Sequence, residues 1–276
     1  MKIFFALLAF ALSTNAFAVD STMPASTSQT EESRFWPKDL YSDLFSNYHG
    51  SSLKKFDTSR SLDNKGRLGK PATTNFDSEL ALGYHVGEAV RVGAVVPFLA
   101  FPAPGATGDA FSLGDVGVKV SHSDTINWRG VHVSTNLILQ APSSDYSRNR
   151  GQKLGIKTTP SLRYEFANSD FSLGAFNELK SYVGVNSGKA FKVWTLPYVK
   201  YRLNKRVAFH LAYEVEVDHM AHSSARLSHY QHDLQPAVIW NVTKHFMVQP
   251  YMQFFSLNSI STAHTGFGTL ISAAIL

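Results

Sequence analysis

Hydrophobic and polar residues alternate with a period of two along residues 191–218. In residues 191–203 one set of alternate positions is almost wholly apolar, whereas the other set contains Lys192, Lys200 and Arg202. A short polar turn follows, and the alternation then resumes. This period over a dozen residues predicts β-strands with unlike faces. Such strands are longer than the five or six residues usual in soluble proteins, and they match the roughly nine to eleven that a tilted strand needs to cross a bilayer.

The same alternation recurs along most of the chain. It predicts about twelve strands, at residues 38–56, 74–84, 90–98, 116–121, 131–140, 153–165, 171–180, 191–203, 207–218, 233–242, 246–254 and 266–276. The first strand is ambiguous because Leu40, Leu44 and Tyr48 also fit helical spacing, so a short helix is the alternative. The last strand is apolar on both faces, and its inward side is therefore left open.

The connections between these strands alternate in length. Those near residues 86, 125, 168, 204 and 244 are short, and those near 65, 105, 147, 186, 225 and 261 are mostly longer. Outer-membrane barrels have short periplasmic turns, longer outer loops and an even number of strands. We therefore predict an all-β fold, an antiparallel up-and-down transmembrane β-barrel of about 12 strands.

Aromatic residues fall near the ends of the predicted strands, as the two interfacial girdles of a membrane barrel require. Ordinary core aromatics are the alternative, but they do not explain this banding. Those near the short turns are Tyr84, Trp128, Tyr164, Phe166, Phe171, Tyr201, Phe209, Trp240 and Phe246, and those near the long loops are Phe76, Phe98, Phe111, Phe191 and Phe254.

The N-terminus has the pattern of an export signal. Lys2 precedes an apolar run, and a small-x-small site ends at Ala18. This pattern predicts a signal peptide over residues 1–18, cleaved after Ala18. Residues 19–37 are rich in Ser and Thr and predict a flexible periplasmic segment, which leaves residues 38–276 for the barrel.

Composition narrows the possible partners. The formal net charge is +5, which falls to +4 once Lys2 leaves with the signal, and the cations form no basic run. We therefore expect no nucleic-acid binding. The mild excess suits anionic surfaces such as lipopolysaccharide.

Short motifs give the chain a family resemblance. They are Gly83-Tyr84 at a strand end, residues 92–97 (VGAVVP), residues 113–116 (LGDV) and a strand that ends near Pro142. In these motifs the chain resembles Gram-negative outer-membrane β-barrels and, more loosely, the porin-like transporter group related to phenol-degradation outer-membrane proteins. The resemblance implies an outer-membrane location, membrane lipid as the surroundings and insertion by the assembly machinery. Such barrels commonly end in Phe or Trp, whereas this chain ends in Leu276.

The polar face of the strands carries both signs of charge. The predicted lumen lining is Arg91, Lys119, Lys157, Arg163, Lys192, Lys200 and Arg202 with Glu79, Glu178, Glu214 and Glu216. A barrel of about twelve strands lies between the filled eight-stranded and the open sixteen-stranded cases. The lining therefore predicts a passive channel for small polar solutes, and a closed structural or surface-interaction barrel is the alternative.

One loop has a mirrored sequence, Asp218-His219-Met220-Ala221-His222 and His229-Tyr230-Gln231-His232-Asp233. If residue 218 pairs with residue 233, two carboxylates face inward together and residues 222 and 229 also pair. Imidazole and carboxylate are suitable zinc ligands. We predict a weak divalent-metal or pH-sensitive site of His222, His229, Asp218 and Asp233 at the outer mouth, with solvated loop histidines as the alternative. No other cofactor is expected.

An enzyme is the remaining class. Some outer-membrane barrels are lipid hydrolases with a His-x-Ser pair on the lipid-facing side of a strand. His132-Val133-Ser134 has this spacing, but the alternation of Val131, Val133 and Thr135 turns the pair to the lumen. We therefore expect no enzymatic activity.

Overall fold

The computed structural model describes residues 39–53, 74–102, 110–224, 229–255 and 262–276. These residues form thirteen strands and one short helix. The strands are β1 (Leu40–Ser52), β2 (Asn75–His85), β3 (Val90–Ala100), β4 (Phe111–Leu113), β5 (Gly117–Trp128), β6 (Val131–Gln140), β7 (Leu154–Glu165), β8 (Phe171–Val183), β9 (Lys189–Arg202), β10 (Val207–Met220), β11 (His229–Thr243), β12 (Phe246–Phe254) and β13 (Thr265–Ala274), and the helix is α1 (Asp145–Asn149). Within the described ranges no helix has the length and apolar character needed to cross a membrane.

The strands close into one antiparallel barrel. Apart from β4 and β5, strands that follow each other in sequence pair with each other, and β1 closes the ring because it pairs with both β2 and β13. The short β4 and the following β5 both pair with β3, so that they occupy one position in the wall. The result is the predicted antiparallel 12-strand barrel with almost no helix, and the fold class is confirmed.

The structure corrects the sequence prediction at two connections. The turn expected near residue 125 lies at Arg129 and Gly130, both with positive φ. Residues 123–125 form a bulge inside β5 instead, and the strand continues to Trp128. The loop predicted at residues 141–151 contains α1, which begins at the N-cap Ser144. The ambiguous first segment is a strand, β1, and not a helix. The predicted signal peptide and the whole of the predicted N-terminal segment, residues 19–37, lie outside the described residues.

Alternate side chains give the barrel an apolar exterior. Large apolar residues are exposed along the outward face of successive strands, among them Leu82, Val118, Leu139, Leu173 and Leu211. An exposed apolar surface that continues around a whole sheet exceeds the patches tolerated on soluble monomers. Trp128, Tyr84, Phe209 and Trp240 are more than half exposed near the short turns. The outward face therefore has the form of an apolar band with an aromatic girdle.

Candidate functional site

The interior of the barrel is identified by contacts that cross it. Lys157 Nζ on β7 lies 3.0 Å from Glu79 Oε2 on β2, although four steps around the wall separate these strands. Parts of the wall that are a third of the circumference apart are therefore bridged across the interior by one lysine and one glutamate. The pairing registers place the whole set of predicted lining residues on this inward face.

The inward charged residues form two groups at different heights. The first lies in the half of the barrel nearer the long loops, and we call it the outer belt. Its members on the strands are Asp77, Glu79, Lys119, Lys157, Glu178, Lys180, Lys189, Lys192, Glu214, Glu216, Asp218 and Asp233. Each lies six or more residues along its strand from the short-turn end.

Glu79 is the centre of one part of the outer belt. Its two carboxylate oxygens accept hydrogen bonds from Lys119 Nζ at 3.1 Å and from Lys157 Nζ at 3.0 Å. The side chains of Glu79, Lys119 and Lys157 are 16–17% exposed. These ions are therefore partly shielded but still in contact with water, a setting in which ion pairs are stronger than at an open surface.

The belt continues along the opposite wall as a chain of ion pairs. Lys192 Nζ lies 2.9 Å from Glu216 and 3.9 Å from Glu178, whose other oxygen is 3.7 Å from Lys157. Lys189 Nζ adds contacts of 3.0 Å to Glu216 and 2.6 Å to Asp218. Acids and bases thus alternate from β2 to β10, and every ion of the chain between Glu79 and Lys189 contacts two ions of opposite charge.

The predicted pairing of the mirrored loop is wrong. In the β10–β11 register Asp218 pairs with His229 and Asp233 pairs with Glu214. The observed register differs from the predicted one by an even number of residues, so that alternation keeps the same faces in both. The alternation of polar and apolar residues therefore predicts which residues face inward, but it does not predict which residues pair.

The observed register brings two other carboxylates together. Glu214 and Asp233 are directly opposed and buried, and the amide of Gln235 donates to both, at 2.8 Å to Asp233. The neutral amide separates two like charges that would otherwise repel. The metal site proposed for His222, His229, Asp218 and Asp233 stays a prediction. Within the described residues no group of three or more His, Cys, Asp or Glu has a metal-binding arrangement.

The second charged group lies near the short turns, and we call it the inner ring. It consists of Asp43, Arg91, Arg163, Glu165, Lys200 and Arg202, each within three residues of the short-turn end of its strand. Arg91 Nη1 lies 2.9 Å from Asp43 Oδ2, and Arg163 Nε lies 3.5 Å from Glu165 Oε1. His132 faces this ring, with Nε2 3.9 Å from Glu165, so the His132–Ser134 pair is turned to the lumen as predicted.

Between the two charged groups lies a neutral waist of tyrosines and glycines. The ring of Tyr198 lies over Gly174, its register partner, because a Cβ placed on Gly174 would be 2.4 Å from the ring's Cζ and Oη. Tyr251 lies over Gly268 in the same way. The missing side chains let each ring lie flat along the wall. The tyrosines therefore line the waist and do not point across it.

A hydrogen bond of Tyr251 in the waist also identifies the inward face of the last strand, β13. Tyr251 Oη crosses β13 and donates a hydrogen bond of 2.9 Å to Asn47 on β1. The inward residues of β13 are therefore those in register with Gly268, namely Gly266, Leu270, Ser272 and Ala274. Apart from Leu270, these inward residues are small and uncharged. The sequence of this strand therefore shows no polar face, and its inward side was not predictable.

A segment at the long-loop end is fastened to the barrel, and we call residues 141–153 the strap. Asp115, in the break between β4 and β5, holds it with both carboxylate oxygens. Oδ1 accepts hydrogen bonds from Ser144 N (3.0 Å) and Oγ (2.7 Å), and Oδ2 accepts from Ser147 Oγ (2.5 Å) and Gln152 Nε2 (3.0 Å). Asp115 is the one acid of the LGDV motif, and its position there anchors the strap.

Arg150 fastens the other end of the strap. Its guanidinium carbon lies 4.4 Å from the ring centroid of Tyr182, and Nη2 donates to the backbone carbonyl of Lys189. Asn186 N in turn donates to the Arg150 carbonyl at 2.8 Å. The strap is therefore tied to the β8–β9 connection at the long-loop end of the barrel.

The strap should be sensitive to the charge of Asp115. Burial alone would raise the pKa of Asp115, but hydrogen bonds from Ser147, Ser144 and Gln152 outweigh it and the pKa lies below its ordinary value. A depressed pKa means that the stabilisation is present at neutral pH and is lost as pH falls through the folded-state value.

We expect Asp115→Asn to release the strap at neutral pH, because a charge-assisted acceptor is lost. Trypsin should then cut after Arg148 and Arg150 about tenfold faster, measured by mass spectrometry of the folded protein. Asp145→Asn is the matched control, since Asp145 is exposed and contacts Arg148 within α1. Equal cleavage of the two variants would show that Asp115 does not hold the strap.

Several of these residues are not visible from the sequence. Lys189 lies beyond the predicted strand, next to an irregularity of the β9–β10 pairing. Asp43 was not assigned because its strand was ambiguous. Nothing in the sequence distinguishes Arg150 from other loop arginines, because its contact with Tyr182 exists only in the folded protein. The glycine of each Tyr–Gly pair carried a weak signal, because a glycine inside a strand commonly marks a close approach.

Comparisons with known proteins were made by family, by sequence and by structure. No protein-family model matches the chain, and no curated protein matches it. Among solved structures, Salmonella typhi OmpF in complex with daunomycin is similar to this chain, with 9% identity and a TM-score of 0.38. The match covers 86% of this chain and 96% of that chain.

Proposed function

We propose that the protein is a barrel of the Gram-negative outer membrane that provides a narrow, passive pathway for small polar solutes. The observation that carries this proposal is the outer belt, in which charged side chains meet across the interior and keep contact with water. Such a lining stabilises ions and polar groups that the apolar exterior repels. The closed barrel and the apolar outer band support the membrane location.

Two further observations favour a pathway over a filled barrel. The tyrosines of the waist lie along the wall, over Gly174 and Gly268. Phe45, in register with inward Glu79 and Ser272, is 44% exposed, which indicates free space beside β1. The alternative is a closed barrel that acts through its surface, and it is favoured by the ion pairs that bridge the interior.

Conductance separates these two functions. The protein without residues 1–18, refolded and inserted into a planar bilayer, should give discrete and small current steps. Its folded state is checked by resistance to heat in gel electrophoresis. Silence from a protein that is folded and inserted would support the closed barrel and would direct attention to the strap and the outer loops.

The same proposal names the surroundings of the protein. Membrane lipid would cover the apolar band, lipopolysaccharide would surround the long-loop end, and the outer-membrane assembly machinery would insert the barrel. We propose no enzymatic role, because His132 and Ser134 face the polar lumen and not the lipid.

A further inference from the structure

Lys180 on β8 differs from the other lysines of the outer belt. Each of the others has a carboxylate oxygen within 4 Å of its Nζ, namely Lys119, Lys157, Lys189 and Lys192. Among the residues that the structure describes, no carboxylate oxygen lies within 4 Å of Lys180 Nζ. The ammonium group lies instead 5.1 Å from the ring centroid of Tyr182. Its charge is therefore not paired with an acid.

The neighbours of Lys180 do not supply the missing acid. Lys157, its register partner on β7, has the same charge, and like charges directly opposite each other are unfavourable. The acids that attract Lys180 from a greater distance are Glu178 and Asp115. Glu178 is engaged by Lys157 at 3.7 Å and by Lys192 at 3.9 Å, and Asp115 accepts four hydrogen bonds from the strap. Both acids are therefore held by other groups.

A second cation without an acid lies at the same aromatic ring. Arg150 is only 5% exposed, and its guanidinium carbon is 4.4 Å from the ring centroid of Tyr182. The guanidinium donates to neutral oxygens, the hydroxyl of Tyr146 at 3.3 Å and the carbonyl of Lys189, and Nε has no hydrogen-bond partner. Within the described ranges no carboxylate oxygen lies within 4 Å of it. A buried charge that no opposite charge compensates is strongly unfavourable, so an anion nearby would be stabilised.

The reachable part of this cluster lies on β8. Lys180 and Tyr182 occupy successive inward positions of the strand, and both are partly exposed. In the described part of the chain the Tyr182 hydroxyl makes no hydrogen bond, so it is able to donate to a solute. Arg150 need not be touched, because the field of a charge extends over about 8–10 Å at physiological salt.

We propose that Lys180 and Tyr182 form a binding site for the carboxylate of a small organic anion, and that Arg150 adds to the attraction. The inference rests on the proposed pathway and deepens it, because it names anionic solutes as the class that the pathway favours. The ammonium group and the phenol hydroxyl donate to the carboxylate oxygens, and hydrogen bonds between ionised partners are the stronger kind. One partly hydrated ammonium group binds weakly, as a pathway requires, since the solute must also leave.

Equilibrium binding tests the site without any flow of solute. The probes are acetate and acetamide, which have nearly equal size and differ in charge. The readout is NMR saturation transfer to their methyl protons from the folded protein, residues 19 to 276, in deuterated nonionic detergent at pH 7 and low ionic strength. We expect acetate to bind about tenfold more tightly than acetamide. Equal affinities would overturn the site.

Conductance of the same preparation separates this inference from the proposed function. Acetate binding by a folded, inserted protein that passes no current would overturn the pathway and leave the site standing. Current steps from a protein that does not prefer acetate would overturn the site and leave the pathway standing.

Variants of Lys180 locate the effect. Lys180→Met should lower the affinity for acetate about fivefold, whereas Lys180→Arg keeps the charge and should stay within about twofold of the unchanged protein. The matched control is Lys205→Met, which removes the same charge from the exposed turn after β9. Equal losses in Lys180→Met and Lys205→Met would assign acetate binding to net charge and overturn the site. Lys180→Met should fold, because it removes a like charge opposite Lys157, and resistance to heat in gel electrophoresis checks this.

Discussion

Replacement of Glu79 with glutamine is expected to change both the ion selectivity and the stability of the barrel. Glu79 is the acceptor that Lys119 and Lys157 share, at 3.1 and 3.0 Å. Without its charge, two partly shielded cations, one strand apart on the wall, lose the acid between them, and Lys157 keeps only the 3.7 Å contact with Glu178. Loss of one partner from a shielded ion pair costs more than the pair itself contributes, because the other charge remains.

We expect Glu79→Gln to lower the free energy of unfolding by about 1–3 kcal/mol and to shift permeability toward anions about threefold. Urea unfolding in detergent measures the first effect, and the reversal potential in a salt gradient measures the second. The addition of Lys157→Met should restore part of both, because it removes one uncompensated cation. Glu88→Gln, in an exposed turn, is the control. If the reversal potential does not change, the belt does not line the conducting path.

Alternation was sufficient to predict the barrel because each strand has one environment on each face. A residue that meets lipid must be apolar, and a residue that meets the lumen is free to be charged, so that the period of two survives along strands as long as β9 and β10. The turn at Arg129 and Gly130 was missed because its signal is the positive φ that Gly permits, whereas Asp124 gave a polar signal inside a bulge.

The contacts between side chains in the lumen were not predictable from the sequence, for a different reason. Alternation shows that Glu79 and Lys157 face inward, but their contact depends on how closely walls four strands apart approach. The partner of Asp233 depends on the register, and alternation does not distinguish registers that differ by an even number of residues. The separation of charge into two zones depends on each residue's distance from its turn, which is readable once the strand ends are known.

The Tyr–Gly pairs of the waist give the second large expected effect. A methyl group on Gly174 would lie 2.4 Å from Cζ and Oη of Tyr198 and 2.5 Å from the backbone carbonyl oxygen of Leu162. The ring can yield to this contact by swinging away from the wall, but the backbone of the neighbouring strand cannot yield without strain. The Gly174→Ala substitution should therefore move an aromatic ring into the lumen and strain the β7–β8 pairing.

We expect Gly174→Ala to lower the free energy of unfolding by about 1–3 kcal/mol and to reduce single-channel conductance by about half. Addition of Tyr198→Ala should restore the conductance but not the stability, because the clash with Leu162 remains. Gly87→Ala is the matched control, since a methyl group there meets nothing within 4 Å. Unfolding in urea and planar-bilayer recordings of the four proteins give both quantities. Conductance equal to that of Gly87→Ala, in a barrel shown to be destabilised, would mean that the ring of Tyr198 does not border the path that solutes take.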